Sequence, residues 1–259
     1  MQKNSPNTKQ PVFFISHGAP DVLLSNPEVA KGWRQQIKNL PRPEAVVLIS
    51  AHWLTRQFCV GGNSNKKTIH DFNGFSEKLY DYEYPSPSAI DLADELHESL
   101  GLVIKHDRGL DHGAWVPLIA MYPGHDIPVV QISISPDQDA TEHFMLGQKL
   151  AFLREKNIMV IASGGIVHNL SKLKWNEPSA SPDLWAKKFV QEVLAVVKDK
   201  NWDLLMQPET INNFCLAHPS LEHFLPLLVS VGAGENDDAS TFCNIWRYGN
   251  LGMQSIRFG

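Results

Sequence analysis

Four short runs, at residues 12–16 (VFFIS), 45–50 (AVVLIS), 127–134 (IPVVQISI) and 158–162 (IMVIA), are apolar almost throughout and do not alternate with polar residues. A strand with one wet face alternates, whereas a run without a polar phase suits a strand covered on both faces. Segments with helical spacing lie between and after these runs. Residues 88–100 put Ile90, Leu92, Ala93, Leu96 and Leu100 mostly on one stripe, with Ser88 placed as the N-cap, and residues 139–156, 184–197 and 221–231 are spaced likewise. Strands joined through helices of this length imply right-handed crossovers. The expected fold is α/β: a single three-layer domain over residues 1–259, with a central mainly parallel or mixed sheet and helices on both faces. A chain of 259 residues is long enough for one such core.

Three histidines stand where apolar runs give way to turn-forming residues: His17 after VFFIS, His52 after AVVLISA and His168 after IMVIASGGIV. In open α/β sheets, ligands bind beyond the carboxyl ends of strands, so neighbouring strands can each deliver an imidazole to one metal ion. His168 follows Gly164-Gly165, which permit a tight path or a close approach, and it reads either as a ligand or as a base. His218 and His223 straddle an expected helix start at Pro219 and Ser220, and a spacing of five lets at most one of them face the metal. Glu222 is an alternative carboxylate ligand, with a solvated helix-surface role as the plainer reading. His112, in Asp111-His112-Gly113, suits either a substrate or oxygen contact or a helix start. His97 and His143 read as surface or boundary residues on amphipathic helices.

The stretch 56–87 carries Gly61-Gly62, Asn73-Gly74 and three tyrosines, and is expected to wall or cover a site just after His52. Trp53, Phe72, Tyr80 and Trp115 are candidates for a slot that takes a flat ring, with the core as the other place for each. Arg56, Lys172 and Asn169 are candidates for holding a polar tail.

Other classes are disfavoured. A net charge of −5 offers no basic surface for nucleic acid. No apolar run approaches the roughly 20 residues of a membrane span, and the start MQKNSPNTKQP lacks a signal-like apolar segment. Three widely spaced cysteines supply neither a disulfide framework nor a zinc-knuckle spacing, so a cytoplasmic location is expected.

At these residues the chain resembles the class III extradiol ring-cleavage dioxygenases, in their 4,5-DOPA dioxygenase extradiol-like branch. The motifs are SHGAP around His17, SAHW around His52, LDHGAWVPL around His112, SGGIVHNL around His168 and AHPSLEHFLPLL around His223, five in the expected order. The resemblance implies a metal site of His17, His52 and His223 that holds Fe(2+) for activity and can also take Zn(2+). It implies His168 as the catalytic base, close enough to ligate the metal when zinc replaces iron, and His112 as a catalytic residue lining the substrate and oxygen pocket. The implied partners are a catechol and O2, without nucleic acid or membrane, for a monomer or small homo-oligomer. The chain departs from the protocatechuate 4,5-dioxygenase type, whose third ligand is a glutamate. A zinc-dependent hydrolase and a non-enzymatic metal-binding module of the same fold are the rival readings.

Overall fold

The computed structural model describes residues 9–62 and 67–259. Residues 1–8, which hold most of the polar start, and 63–66, within the stretch expected to wall the site, lie outside the described residues. The strands in chain order are β1 (Val12–Ser16), β2 (Ala45–Leu54), β3 (Cys59–Gly61), β4 (Val103–Lys105), β5 (Val129–Ile134), β6 (Ile158–Gly164), β7 (Ala239–Phe242), β8 (Trp246–Arg247), β9 (Leu251–Gly252) and β10 (Ser255–Phe258). The helices are α1 (Val22–Ser25), α2 (Pro27–Ile37), α3 (Ile90–Leu100), α4 (His112–Met121), α5 (Ala140–Leu150), α6 (Leu184–Lys198), α7 (Trp202–Leu205), α8 (Phe214–Ala217) and α9 (Leu225–Gly234).

Eight strands form one sheet in the order β4-β3-β5-β2-β6-β1-β10-β7. The four runs without a polar phase are its centre, β5-β2-β6-β1, and are parallel throughout. Both flanks turn antiparallel, at β3 against β5 and at β10 against β1. Every residue of β1, β5 and β6 is buried. Successive side chains of these strands enter two different cores. Phe14, Val47, Ile49 and Val160 pack with α3, α5, α6 and α9 on one face, and Phe13, Leu48, Met159 and Ile161 with α2 and α4 on the other. That division makes the single three-layer α/β domain with helices on both faces. Among the described residues, no helix is long and apolar enough to cross a membrane.

Register brings the carboxyl ends of the central strands level, with Ser16 beside Gly164 and Ser50 beside Ser163. β2 outruns its apolar sequence and reaches Leu54. Its register against β5 shifts between Ile49 and Leu54, an irregularity of the kind that re-aims side chains next to sites. His52 therefore lies inside the strand's irregular end, whereas His17 and His168 follow their strands.

Three helix boundaries differ from expectation. α3 begins at Ile90 with Ala89 in the capping position in place of Ser88. The α-helix of residues 139–156 stops at Leu150 and tightens into a 3₁₀ segment ended by left-handed Asn157, while its start carries a full Asp139–Glu142 capping box. The helix expected from residue 221 begins at Leu225, so His223 precedes it. The cause is Pro226, which lacks an N–H and fits only the first turn.

α5 and α9 approach through glycine. A Cβ on Gly147 would lie 2.1 Å from the Val229 carbonyl oxygen, and one on Gly232 would lie 2.0 Å from that of Phe144. Backbone on both sides leaves nothing flexible to give way. Gly147→Ala is expected to destabilise the protein by about 1–3 kcal/mol through overpacking, read as a lower urea midpoint. An unchanged midpoint would mean that the helices can separate without loss.

Candidate metal centre and active site

His17 sits one residue beyond β1, tied down by its own N–H to the Gly164 carbonyl at 3.1 Å. Its Nδ1 lies 2.9 Å from Ser163 Oγ, whose hydroxyl hydrogen is already donated to the Gly113 carbonyl at 2.5 Å. Ser163 can then only accept, so the His17 proton resides on Nδ1 and its Nε2 carries a lone pair. His52 also faces a carboxylate with Nδ1, 3.3 Å from Asp71 Oδ2, a charge contact that favours the same tautomer without a hydrogen bond. His223 hydrogen-bonds to another, with Nδ1 3.1 Å from Glu222 Oε1.

The three Nε2 atoms meet. His52 Nε2 is 3.0 Å from that of His17 and 3.3 Å from that of His223. Lone pairs at that range repel unless a cation lies between them. Two nitrogens at about 2.1 Å from one metal, subtending about 90–110°, would stand about 3.0–3.4 Å apart. The donor set therefore fits a divalent metal of the iron or zinc type. His17, His52 and His112 also bring one ligand atom each within 4.8 Å of one another, as do His168, Glu222 and His223.

Burial lowers the pKa of these imidazoles first, and the neighbouring imidazoles lower it further. His17 and His223 lie well below the ordinary range and His52 falls to about 4, so all three are neutral, as ligands must be. Burial would raise Asp71, but its hydrogen bonds from His112 outweigh that and hold the carboxyl down at about 2.

Asp71 serves two histidines. Its Oδ1 accepts from both the backbone N–H and Nδ1 of His112, each at 3.0 Å, while Oδ2 faces His52. His112 is the first residue of α4, as the helix-start reading expects, and it also lines the cavity. The helix is capped by Asp111, a buried carboxylate that also accepts from Ser50 at 2.6 Å, Gln131 at 2.5 Å and Arg108. Gly113 is required there: a Cβ would lie 2.5 Å from Ser50 Oγ and 3.0 Å from the His52 ring.

On the other side, the His168 ring stacks on that of His223 at 3.4 Å and 8°. Its Nδ1 stands 3.7 Å from Glu222 Oε1, beyond hydrogen-bond length. Burial lowers the His168 pKa against the opposing pull of Glu222, so it too is neutral near pH 7. Gly164-Gly165 do permit a close approach, and what approaches is backbone. The His223 carbonyl accepts from Gly165 N–H at 2.9 Å and would lie 2.3 Å from a Cβ on Gly164.

His52, His112, His168 and His223 open onto a cavity of about 540 Å³, walled by Phe72, Phe75, Leu170, Trp175 and Tyr248, with Gly18-Ala19-Pro20-Asp21 along one side. Phe72 and its neighbours come from the stretch expected to wall the site. Tyr248 comes from the tip of the β8–β9 hairpin.

A family described as the catalytic LigB subunit of aromatic ring-opening dioxygenase matches residues 11–259. The chain belongs to the extradiol aromatic ring-opening dioxygenases. Within that family it falls in the 4,5-DOPA dioxygenase-like branch. It is 39% identical over 264 residues to the 4,5-DOPA dioxygenase extradiol of Escherichia coli K12, covering 98% of this chain and 96% of that one. It is 37% identical to the protein of that name from Beta vulgaris, covering 95% of each. The crystal structure of an uncharacterized protein from Escherichia coli K12 superposes with a TM-score of 0.82 at 35% identity, over 96% of this chain and all of that one.

Several candidate residues of this dioxygenase lie off the cavity, the two tryptophans in the core that was their other expected place. Trp53 is buried under the Arg108 guanidinium, and Trp115 is fully buried with its indole N–H on the Ile69 carbonyl. Tyr80 touches Phe72 from outside the cavity, and none of Arg56, Lys172 and Asn169 lines it. Asn169 instead donates to the Leu216 carbonyl. His143 is no surface residue: it is fully buried, with Nδ1 on the Asp139 carbonyl and Nε2 accepting from Ser135 N–H. His218 donates to the Ile166 carbonyl at 2.7 Å among Phe189, Phe214 and Phe224, holding the chain that leads to His168. Glu222 is no solvated helix-surface residue. It is half-buried in the turn before α9 and accepts from His223 and Ser220. Asp71 and Ser163 escaped sequence reasoning. The signal for Asp71 was the general need of a ligand imidazole for a carboxylate on its far nitrogen.

Asp71→Asn and Glu222→Gln are each expected to weaken zinc binding about 10–100-fold, measured by competition with a chelator. Equal affinity in either variant would remove that residue from ligand orientation. A second expectation concerns acid. His52 and His218 have folded pKa values of about 4 against 6.5 when free, so the unfolded chain binds their protons first as pH falls. Their contribution is complete above pH 6.5 and is lost towards pH 4. The urea midpoint of metal-free protein should fall between pH 7 and pH 5, and a level midpoint would contradict the buried neutral assignment.

Proposed function

We propose that the protein is a non-haem iron(II)-dependent extradiol dioxygenase that opens the ring of a catechol, 3,4-dihydroxyphenylalanine or a close relative, with both atoms of O2 entering the product. The observation that carries this reading is the meeting of three imidazole lone pairs at 3.0 and 3.3 Å at the floor of an aromatic-walled cavity. His17, His52 and His223 would hold the metal. Ferrous iron supplies the one-electron chemistry that lets O2 react with a closed-shell ring, which zinc cannot.

The remaining roles follow from the chain's own groups. His168 is neutral and lines the cavity, so it can take the proton of a catechol hydroxyl. Its stacking on His223 sets its reach without making it a ligand. His112 keeps its Nδ1 proton on Asp71, which leaves Nε2 with a lone pair that can take up a proton in the cavity and, once protonated, donate it to oxygen. Phe72, Phe75 and Trp175 supply flat apolar surface that excludes water from the ring. We read residues 1–259 as one catalytic domain, cytoplasmic, monomeric or a small homo-oligomer, acting on a small molecule without nucleic acid.

Anaerobic loading with iron(II), followed by a catechol and measured oxygen, tests the assignment. One O2 consumed per ring-cleaved product is expected, and hydrolysis by the zinc form with no oxygen consumed would overturn it. His168→Ala should retain metal and catechol while turnover falls about 100-fold or more. Loss of metal from that variant at equal iron concentration would make His168 a ligand, and loss from His112→Ala with retention by His223→Ala would exchange those two residues' roles.

A further inference from the structure

The cavity has a charge pattern that ring cleavage alone does not explain. Among the described residues that line it, Asp21 is the only acid, and no lysine or arginine is present. Asp21 occupies the capping position before α1, yet its side chain makes no capping hydrogen bond. Its backbone carbonyl accepts from Leu24 and Ser25, while its carboxylate has no hydrogen bond or ion pair among the described residues. It follows His17 by four residues, on the same wall as Gly18-Ala19-Pro20.

Aromatic side chains line the same cavity. Trp175 and Tyr248 pack with ring centroids 5.3 Å apart at 45°, and Trp175 is 49% exposed. Aromatic faces and a carboxylate that share a cavity are the chemistry that recognises an organic cation. The same set repels a carboxylate and, among the described residues, offers it no lysine or arginine.

We propose that the substrates are catecholic amines, ortho-diol rings whose side chain carries a protonated nitrogen, and that Asp21 is the residue that selects them. This rests on the ring-cleavage reading and narrows it. The amine is the handle, and a carboxylate on the same tail finds no lysine or arginine among the described residues of the cavity wall. An amino-acid catechol enters by its ammonium, and a catechol with only an acid tail is disfavoured.

Binding is measured apart from turnover, by calorimetry on the zinc-loaded full chain, with dopamine, 4-ethylcatechol and 3-(3,4-dihydroxyphenyl)propionate. These probes share the ring and differ in tail charge. Dopamine is expected to bind at least about fivefold more tightly than the neutral probe, and the acid at least about fivefold more weakly, as one charge pair at contact range requires. Asp21→Asn should remove the ammonium advantage and Asp21→Lys should reverse the order, a gain that damage to the fold cannot mimic. An order unchanged by both variants, tightest binding of the acid by the wild type, or no binding of any probe overturns the proposal. If the zinc form keeps the order while the iron form cleaves none of the probes, the ring-cleavage reading fails and the ammonium site stands. Cleavage at rates indifferent to tail charge does the converse.

Discussion

An imidazole has one proton to divide between two nitrogens, and the centre of this protein depends on where that proton is kept. Ser163 keeps it on Nδ1 of His17, Asp71 on Nδ1 of His112 and Glu222 on Nδ1 of His223, while Asp71 Oδ2 faces Nδ1 of His52. Each partner is itself committed elsewhere, Ser163 to the Gly113 carbonyl and Asp71 to the His112 backbone, so the tautomers are consequences of the fold. Placing several mutually repelling lone pairs in a buried cluster costs stability, which is the usual condition of a site arranged for a ligand.

The two carboxylates divide the centre in a parallel way. Asp71 joins a ligand candidate, His52, to a cavity residue, His112. Glu222 binds His223 and lies beside His168. A change in the position of Asp71 thus bears on one residue of each class together, whereas Glu222 is bonded to His223 alone of its pair. Glu222 stands on the far side of the His223 ring from the meeting of the Nε2 atoms.

Much of this was legible in the residues, and the limits have physical causes. The central strands could be read because burial on both faces removes the polar phase from VFFIS, AVVLIS and IMVIA. His17, His52, His112, His168 and His223 could be read because motif order survives where spacing is irregular. The helix start near His223 could not, since the apolar spacing of residues 221–231 continues smoothly across a proline that forbids the earlier turn. Asp71 could not, because its partners are 19 residues before it and 41 after it, and only the path of an irregular loop brings them together. Trp53 and Trp115 were ambiguous for a plain reason: an indole suits a core and a ring slot equally well.

The crossing of the His223 backbone over Gly164 and Gly165 gives the chain a seam. The residues that meet at the centre begin at His17 and end at His223, so nearly the whole polypeptide must be synthesised and folded before its last imidazole arrives. Contacts this distant in sequence form late and slowly, since a long loop must close before they return anything. An ion taken up at that point would hold the first strand to the turn before α9, fastening the ends of a chain segment some 200 residues long. A polypeptide that stops short of His223 lacks the last of the three imidazoles that meet at the centre.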